Sequence, residues 1–162
     1  MAAFDAFLKI DGIEGESADS KHKNEIEVES FSFGATQSGT FAHGSGGGAG
    51  KVQMQDFHIT SKVNKASAKL ALACATGQHI KKAILYVRKA GGRQEDYYQV
   101  TFSELLVSSY AIGGSAHGDL IPLEQVSLNF AKIEWKYQLQ NEKGNVGNPV
   151  ITGWDLKQNV KL

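Results

Sequence analysis

The segment EIEVESFSFG, residues 25–34, contains two short runs of alternating side chains that change phase between them. The apolar side chains of the first run occupy even positions, whereas Phe31 and Phe33 of the second run occupy odd positions. Because successive side chains of a strand point to opposite faces, each run predicts a strand with one apolar face. The phase change predicts a bulge or sharp bend near Glu29 and Ser30.

Similar phase changes occur between Met54 and Phe57 and between Phe130 and Ile133. A strand that changes phase must turn its apolar face, so the three changes favour a strongly coiled sheet that turns corners. Such corners are more typical of a small barrel than of a flat sandwich.

Other alternating runs predict further strands over residues 4–10, 84–89, 97–102, 105–112, 123–139 and 150–156. The second and third of these read as a hairpin around Ala90-Gly91-Gly92. We therefore predict a mainly β fold: a small coiled β-barrel of about eight strands with one short α-helix on its side. With 162 residues, the chain forms a single domain over residues 1–162 and is large enough to bury about 70% of its unfolded surface.

The short helix is predicted over SAKLALACATG, residues 67–77, because this segment is rich in strong helix formers. Ser67 is the predicted N-cap and Gly77 the predicted stop. Since two to three turns are too few to be stable alone, packing against the barrel must hold them. We expect the inward side to consist of Leu70, Cys74 and one of Ala71 or Ala73.

The composition excludes several classes of partner. The 17 basic and 17 acidic residues balance, and the lack of a basic stripe argues against nucleic-acid binding. No segment has the pattern of a signal peptide or the length of a membrane span, so we expect a cytosolic chain without membrane insertion. The single cysteine, Cys74, excludes an internal disulfide framework.

A glycine tract follows the first strands, with five glycines in seven residues: Gly44, Gly46, Gly47, Gly48 and Gly50. A phosphate-binding loop needs a glycine five residues before the Gly-Lys pair, a Ser or Thr after it, and then a helix. Here Ser45 stands at the first position, Val52 at the second, and a strand pattern follows. The tract therefore favours a long contact loop over a nucleotide site.

No group of residues has the pattern of a catalytic or metal site, and we expect neither enzyme activity nor a cofactor. The five histidines, at positions 22, 43, 58, 79 and 117, lack metal-ligand spacing and are interpreted as ordinary solvated or capping histidines. Cys74 is typical of a small buried apolar residue. The spacing of Glu25, Glu27 and Glu29 along one strand face overlaps that of a glycosidase carboxylate pair. A solvated outer face explains the same three glutamates without a substrate.

The same strand alternation also predicts an outer face without charged side chains. If Phe31 and Phe33 point into the core, Ser30 and Ser32 point outward, and Gln53 and Gln55 do the same beside Val52 and Met54. Such small polar side chains suit a hydrated lumen that holds cargo weakly. They suit an ordinary solvent-exposed face equally well, and the residues alone leave both interpretations open.

Several motifs resemble the haemolysin-coregulated protein (Hcp) family, the tube component of bacterial type VI secretion. They are KIDGIEGES at 9–17, TQSG at 36–39, GGGAGKV at 46–52, KAGG at 89–92, LLVSS at 105–109 and GWDLKQNV at 153–160. The resemblance runs nearly end to end, with the motifs in the family's order.

This resemblance implies hexameric rings that stack into a tube, export without a signal peptide, and partnership with small effectors, a tip spike protein and a contractile sheath. It also implies lumen or cargo contacts for Ser30, Ser32, Gln53 and Gln55, and ring-stacking contacts for Gly44, Gly46, Gly47, Gly48, Gly91 and Lys157. The alternative is a monomeric ligand- or carbohydrate-binding β-barrel, for which Trp135 and Trp154 are the available aromatic anchors.

Overall fold

A computed structural model describes residues 3–39, 50–91, 94–118, 120–139 and 147–162. These residues form eleven strands and one helix: β1 Phe4–Ile10, β2 Ile26–Val28, β3 Ser30–Ser32, β4 Ala35–Thr36, β5 Gln53–Met54, β6 Phe57–Lys62, α1 Ser67–Thr76, β7 Ile80–Lys89, β8 Asp96–Gly113, β9 Leu123–Tyr137, β10 Val150–Asp155 and β11 Val160–Lys161. The mainly β prediction with one short helix is confirmed.

Nine strands form an antiparallel sheet whose pairing path returns to its starting segment, and β4 and β5 form a separate two-stranded sheet. The path runs β2-β1-β7-β8-β9, and the far edge of β9 is shared between β10 and β6. β6 pairs in turn with β3, which is separated from β2 by Glu29 alone. The backbone N–H of Glu29 donates to the carbonyl of Thr60 on β6, 2.8 Å away. The result is a barrel-like sheet.

The predicted phase changes mark places where the sheet turns. At Glu29 the chain changes its pairing partner: β2, before this residue, pairs with β1, and β3, after it, pairs with β6. In β9, Phe130 and Ile133 are both buried, and they face Leu105 and Phe102 of β8. Between those two β8 residues, Glu104 has a φ of 55°. The backbone therefore rotates there, and both neighbouring strands turn together.

The strand boundaries differ in several places from the sequence prediction, most of all in β8. The alternation predicts separate strands over residues 97–102 and 105–112, but β8 is continuous across the gap. The polar pair Ser103-Glu104 is part of the bend in this strand rather than a break between two strands. The predicted hairpin is confirmed, with β7 and β8 paired from Ile80 opposite Leu105 to Arg88 opposite Asp96.

Helix α1 packs on the barrel through Leu70 and Ala73, which are both fully buried, while Cys74 is half-buried. The stop at Gly77 is confirmed, since its φ of 65° is left-handed and its N–H donates to the Ala73 carbonyl. The predicted N-cap is wrong. Ser67 is already helical, and its hydroxyl accepts from the N–H of Asn64 at 2.9 Å. The Asn64 side-chain oxygen in turn accepts from the N–H of Ala66.

The core lies between the two halves of the bent sheet. Three aromatic rings fill its centre: Phe57 and Phe102 are 4.5 Å apart, and Phe102 and Phe130 are 4.9 Å apart between centroids. Leu8, Leu85, Leu128 and Ile133 surround them and are essentially inaccessible to solvent. This packed interior leaves no room for cargo inside the barrel, so any binding surface must lie on its outside.

Candidate functional site

The outward side chains of β3 and β6 form rows of small polar groups. Ser30 lies opposite Thr60, and Ser32 lies opposite His58. Phe31, between the two serines, points the other way, and its ring packs 6.5 Å from that of Phe57. Ser30 and Ser32 are therefore exposed, as the alternation in the sequence predicts.

The same rows continue onto β9 and beyond β3. On β9, Ser127 lies opposite His58 and Gln125 opposite Thr60, and Nδ1 of His58 lies 2.6 Å from the Ser127 hydroxyl. In the other direction the N–H of Gln55 donates to the Gly34 carbonyl at 2.8 Å. The polar face, as it is called below, comprises Ser30, Ser32, Gly34, Gln53, Gln55, His58, Thr60, Gln125 and Ser127. Ser127 is buried within it, and Gln53 belongs to the adjoining β4–β5 sheet.

The four predicted cargo-contact residues are all exposed: Ser30 and Ser32 lie on β3 of the large sheet, Gln53 lies on β5 of the separate β4–β5 sheet, and Gln55 lies beside Gly34. Their part in cargo contact stays a prediction. The sequence interpretation treated His58 as an ordinary solvated histidine and missed its position in the centre of this face. The local signal was present, because Phe57 and Ile59 alternate with His58 and place it outward.

The charged groups beside the polar face are tied into contacts at its margins. The carboxylate of Asp56 accepts from the Asn129 amide at 2.9 Å and from the Ser108 hydroxyl at 2.6 Å. At another margin, Lys62 lies 3.9 Å from Glu29. The rows between these margins present hydroxyl, amide and imidazole groups, which bind by weak hydrogen bonds.

A buried carboxylate supports the polar face from below. Glu124 is inaccessible to solvent and accepts hydrogen bonds from Ser61 at 3.0 Å, Tyr110 at 2.8 Å and Asn64 at 3.3 Å. Burial and the bond to Glu124 raise the pKa of Tyr110, so its hydroxyl stays protonated and donates. The contacts join β6, β8 and β9 beneath the face.

The predicted stacking residues that the structure describes lie at opposite ends of β7. Gly91 lies just beyond its C-terminal end, with a φ of 85° that favours glycine. Lys157 lines a groove near the N-terminal end, together with His79 and Glu104, whose side chains are 2.7 Å apart. Ten strand residues separate these ends, or roughly 30 Å. Gly44, Gly46, Gly47 and Gly48 lie outside the described residues.

A cluster of charged side chains lies on the outer surface of β1 and β7, where the two strands of the β7–β8 hairpin meet their connecting loop. This end of the hairpin is called the hairpin base below. Arg88 is 3% exposed and donates to both carboxylate oxygens of Asp19 and to Asp5 at 3.3 Å. Its guanidinium carbon also lies 4.9 Å from the centroid of the Phe7 ring. The hydrogen bond from Arg88 lowers the pKa of Asp19 to about 2, and the bonds to Asp19 raise the pKa of Arg88.

Two expectations about this region are wrong. Glu27 and Glu29 are exposed, but Glu25 is buried against His22, and burial raises its pKa. The three glutamates therefore do not form a uniform solvated face. His22 is itself only 3% exposed and is not a solvated loop histidine. Both side chains are enclosed by segments distant in the sequence, which strand alternation does not reveal.

The two tryptophans lie beside an open groove of about 540 Å³. Trp135 and Trp154 are half-buried and pack against the core, and Phe33 stacks on Trp135 with ring centroids 6.2 Å apart. The indole N–H of Trp154 is buried and has no acceptor among the residues that the structure describes.

The described part of the chain contains no group of three or more histidine, cysteine or acidic side chains placed to hold a metal ion. Within the same residues, no helix has the length and apolar character needed to cross a membrane.

A family model described as "Type VI secretion system effector, Hcp" matches residues 7–137. The chain is 45% identical over 161 residues to Protein hcp1 of Pseudomonas aeruginosa, covering 98% of this chain and 99% of that protein. A solved structure described as a type six secretion system protein covers 99% of this chain and 100% of its own, with a TM-score of 0.94 and 33% identity. Hcp1 from Salmonella typhimurium has the same coverage, with a TM-score of 0.84 and 38% identity. The chain therefore belongs to the Hcp family, the secreted structural proteins from which the type VI secretion tube is built.

Proposed function

We propose that six copies of this chain close into a ring, that the rings stack into a tube, and that the polar face lines the bore and holds small secreted effectors. The function is assembly and carriage, in which no covalent bond is made or broken. The single observation that carries the proposal is the polar face itself, an outward surface of hydroxyl, amide and imidazole side chains backed by a packed core.

The ring follows from the kind of contact that self-association requires. A cyclic assembly repeats one heterologous interface until the rotation closes, so each copy presents two different flanks to its neighbours. With 17 basic and 17 acidic residues, the chain has no net charge to oppose close packing of identical copies. In such a ring the polar face of every copy turns toward the axis.

The stacking contact is supported by the positions of Gly91 and Lys157. Because they lie at opposite ends of β7, the hairpin tip of one ring meets the Lys157 groove of the next when the rings stack head-to-tail. The glycine-rich loop of residues 36–51 reaches toward the same neighbouring ring. A tip spike protein at the end of the tube and a contractile sheath around it complete the set of partners.

The bore holds cargo through many weak contacts. Hydroxyl and amide groups exchange protein hydrogen bonds for water hydrogen bonds at little net gain, which allows an effector to be held and later released. The chain is made in the cytosol and leaves the cell with its cargo when the sheath contracts.

The absolute mass of the purified protein, measured by light scattering and compared with negative-stain images of the same peak, tests this proposal. We expect a mass of six subunits and open rings. A compact monomer across the micromolar range would contradict it. That outcome would favour a monomeric ligand-binding barrel with its site in the groove of Trp135 and Trp154, which a glycan and small-molecule screen of the monomer would test.

A further inference from the structure

His22 is held at the base of the hairpin between β7 and β8 by contacts on every side. Its ring stacks on Phe7 with centroids 4.5 Å apart and planes 14° apart, and it lies 4.8 Å from the ring of Tyr86. Nδ1 lies 3.1 Å from Glu25 Oε1, and Nε2 lies 3.0 Å from Asp96 Oδ1. Since a neutral imidazole has one N–H, two facing carboxylates fit the imidazolium, which donates through both nitrogens.

The segment that carries His22 contacts three successive residues of the hairpin base. Lys21 Nζ lies 3.3 Å from the carbonyl oxygen of Gln94 and 3.3 Å from a carboxylate oxygen of Glu95. His22 contacts the third residue, Asp96, which lies opposite Arg88 where β7 and β8 begin to pair. Lys21 and His22 therefore fix the base of a hairpin whose tip contains Gly91.

The loop that presents these two side chains is itself closely packed. The N–H of Gly15 donates to the carbonyl of Asn24 at 2.9 Å, and the N–H of Ser17 donates to the carbonyl of Glu25 at 3.1 Å. A Cβ at Gly15 would lie 2.5 Å from the carbonyl oxygen of Glu25, so only glycine allows this approach. The side chain of Asp19 accepts from the backbone N–H of His22 at 3.1 Å. The position of His22 is thus fixed by its own loop.

The charged and titratable groups around His22 come from every neighbouring element: Asp19 and Glu25 from the loop, Lys9 from β1, Tyr86 and Arg88 from β7, and Asp96 from β8. Burial raises the pKa of Glu25, while His22 and Lys9 oppose the rise. Burial also raises the pKa of Tyr86. Loss of the imidazolium proton would turn a nitrogen lone pair toward one of the two carboxylates.

We propose that His22 is a positioning residue for ring stacking: as an imidazolium between Glu25 and Asp96, it fixes the hairpin base so that the tip at Gly91 meets the neighbouring ring. The inference rests on the proposed stacking contact and adds to it a means of regulation. Because the ring of His22 can donate to both carboxylates only while both nitrogens carry a proton, we expect stacking to weaken when the pH is raised.

The test compares wild type with His22→Gln and Asp96→Asn. Light scattering reports ring mass, and sedimentation with negative-stain images reports the protein concentration at which half of the rings are stacked. We expect intact rings in both variants and a rise in that concentration of at least about threefold, equivalent to roughly 0.7 kcal/mol. Asp11→Asn is the matched control. It makes the same change on an exposed carboxylate, beyond the end of β1 that is remote from the hairpin tip.

The pH response separates positioning from general stability. Between pH 6 and 8.5 we expect wild type to require a rising concentration for stacking, and His22→Gln to show a smaller rise or none. His79, in the groove of Lys157, is present in both proteins, so the difference between the two profiles reports His22. Equal stacking and equal pH profiles would overturn the inference while leaving the tube proposal intact. Rings that dissociate in both variants would also overturn it, and wild-type rings that never stack would overturn both proposals.

Discussion

Asp19→Asn removes one partner of the buried Arg88 while keeping the shape of the side chain. Wild-type Asp19 receives two hydrogen bonds from the guanidinium, and the side chains are 4% exposed for Arg88 and 17% exposed for Asp19. Asp5 remains in contact with Arg88 in the variant, at 3.3 Å. The guanidinium therefore keeps one carboxylate but loses the one that binds it through both oxygens.

The magnitude follows from the pKa of Asp19, which the bond to Arg88 lowers from 3.8 to about 2. A difference of that size corresponds to about 2 kcal/mol of folding free energy at neutral pH. Solvent screening of the exposed part of the carboxylate makes this an upper value. We expect Asp19→Asn to lower the free energy of unfolding by about 1–2 kcal/mol at pH 7.

The pH dependence gives the sharper test. Because the folded-state pKa of Asp19 is lowered, its contribution is complete above about pH 4 and is lost as the pH falls through about 2. Denaturant unfolding from pH 7 downward, at one protein concentration because assembly also stabilises the fold, should show the two proteins converging in stability. Asp11→Asn, at an exposed carboxylate, should change little. A loss in Asp19→Asn that stays constant down to the lowest pH at which both proteins fold would refute the reasoning.

Three further predictions concern the polar face and the glycine tract. Tyr110→Phe leaves buried Glu124 without one of its donors and should lower the free energy of unfolding by about 1–3 kcal/mol in denaturant titrations; no loss would mean that water replaces the hydroxyl. Ser32→Arg should leave the ring mass unchanged and alter effector retention in a co-purification assay, whereas Ser20→Arg on an exposed loop should do neither; dissociated rings would place Ser32 in the subunit interface. Deleting residues 44–48 should spare the fold and the ring but shorten the tubes seen in negative stain, and long tubes would remove the tract from the stacking contact.

The orientation of the polar face could be predicted from the sequence because strand alternation is a local property. Phe31 and Phe33 on one side and Ser30 and Ser32 on the other follow from period two alone, and the phase change at Glu29 correctly marks the place where the chain changes partner. Alternation does not identify the strands with which a given strand pairs. The position of His58 between Ser32 and Ser127 depends on the register of β6 with both neighbours.

The cluster at the hairpin base could not be predicted for the same reason. His22 and Asp96 are 74 residues apart in the chain, and Arg88 and Asp19 are 69 apart. Each looks like an ordinary solvated charge in its own segment. The nearest sequence signal is Gly15, because only glycine leaves room for the Glu25 carbonyl that packs against it. The sequence shows the glycine, but the carbonyl that requires it is identified only in the folded loop. The wrong N-cap prediction is similar: the N-cap position is Ala66, without a side-chain cap, and the Ser67 hydroxyl instead accepts from the N–H of Asn64.

In the proposed ring and tube, the placement of charge on this chain would meet two different requirements. In a sixfold ring, every lumen side chain is repeated around the axis, so one unpaired charge per copy becomes six facing a common bore. Charges lining an enclosed bore concentrate the field, which binds oppositely charged cargo strongly and repels the rest. The hydroxyl and amide side chains that make up most of the polar face carry no charge and avoid both effects. At the hairpin base the requirement is reversed, because a tip that must meet another ring needs a fixed direction. Buried, paired charges such as Arg88 with Asp19 hold one geometry through directional hydrogen bonds, so the same balanced composition gives a permissive bore and a rigid end.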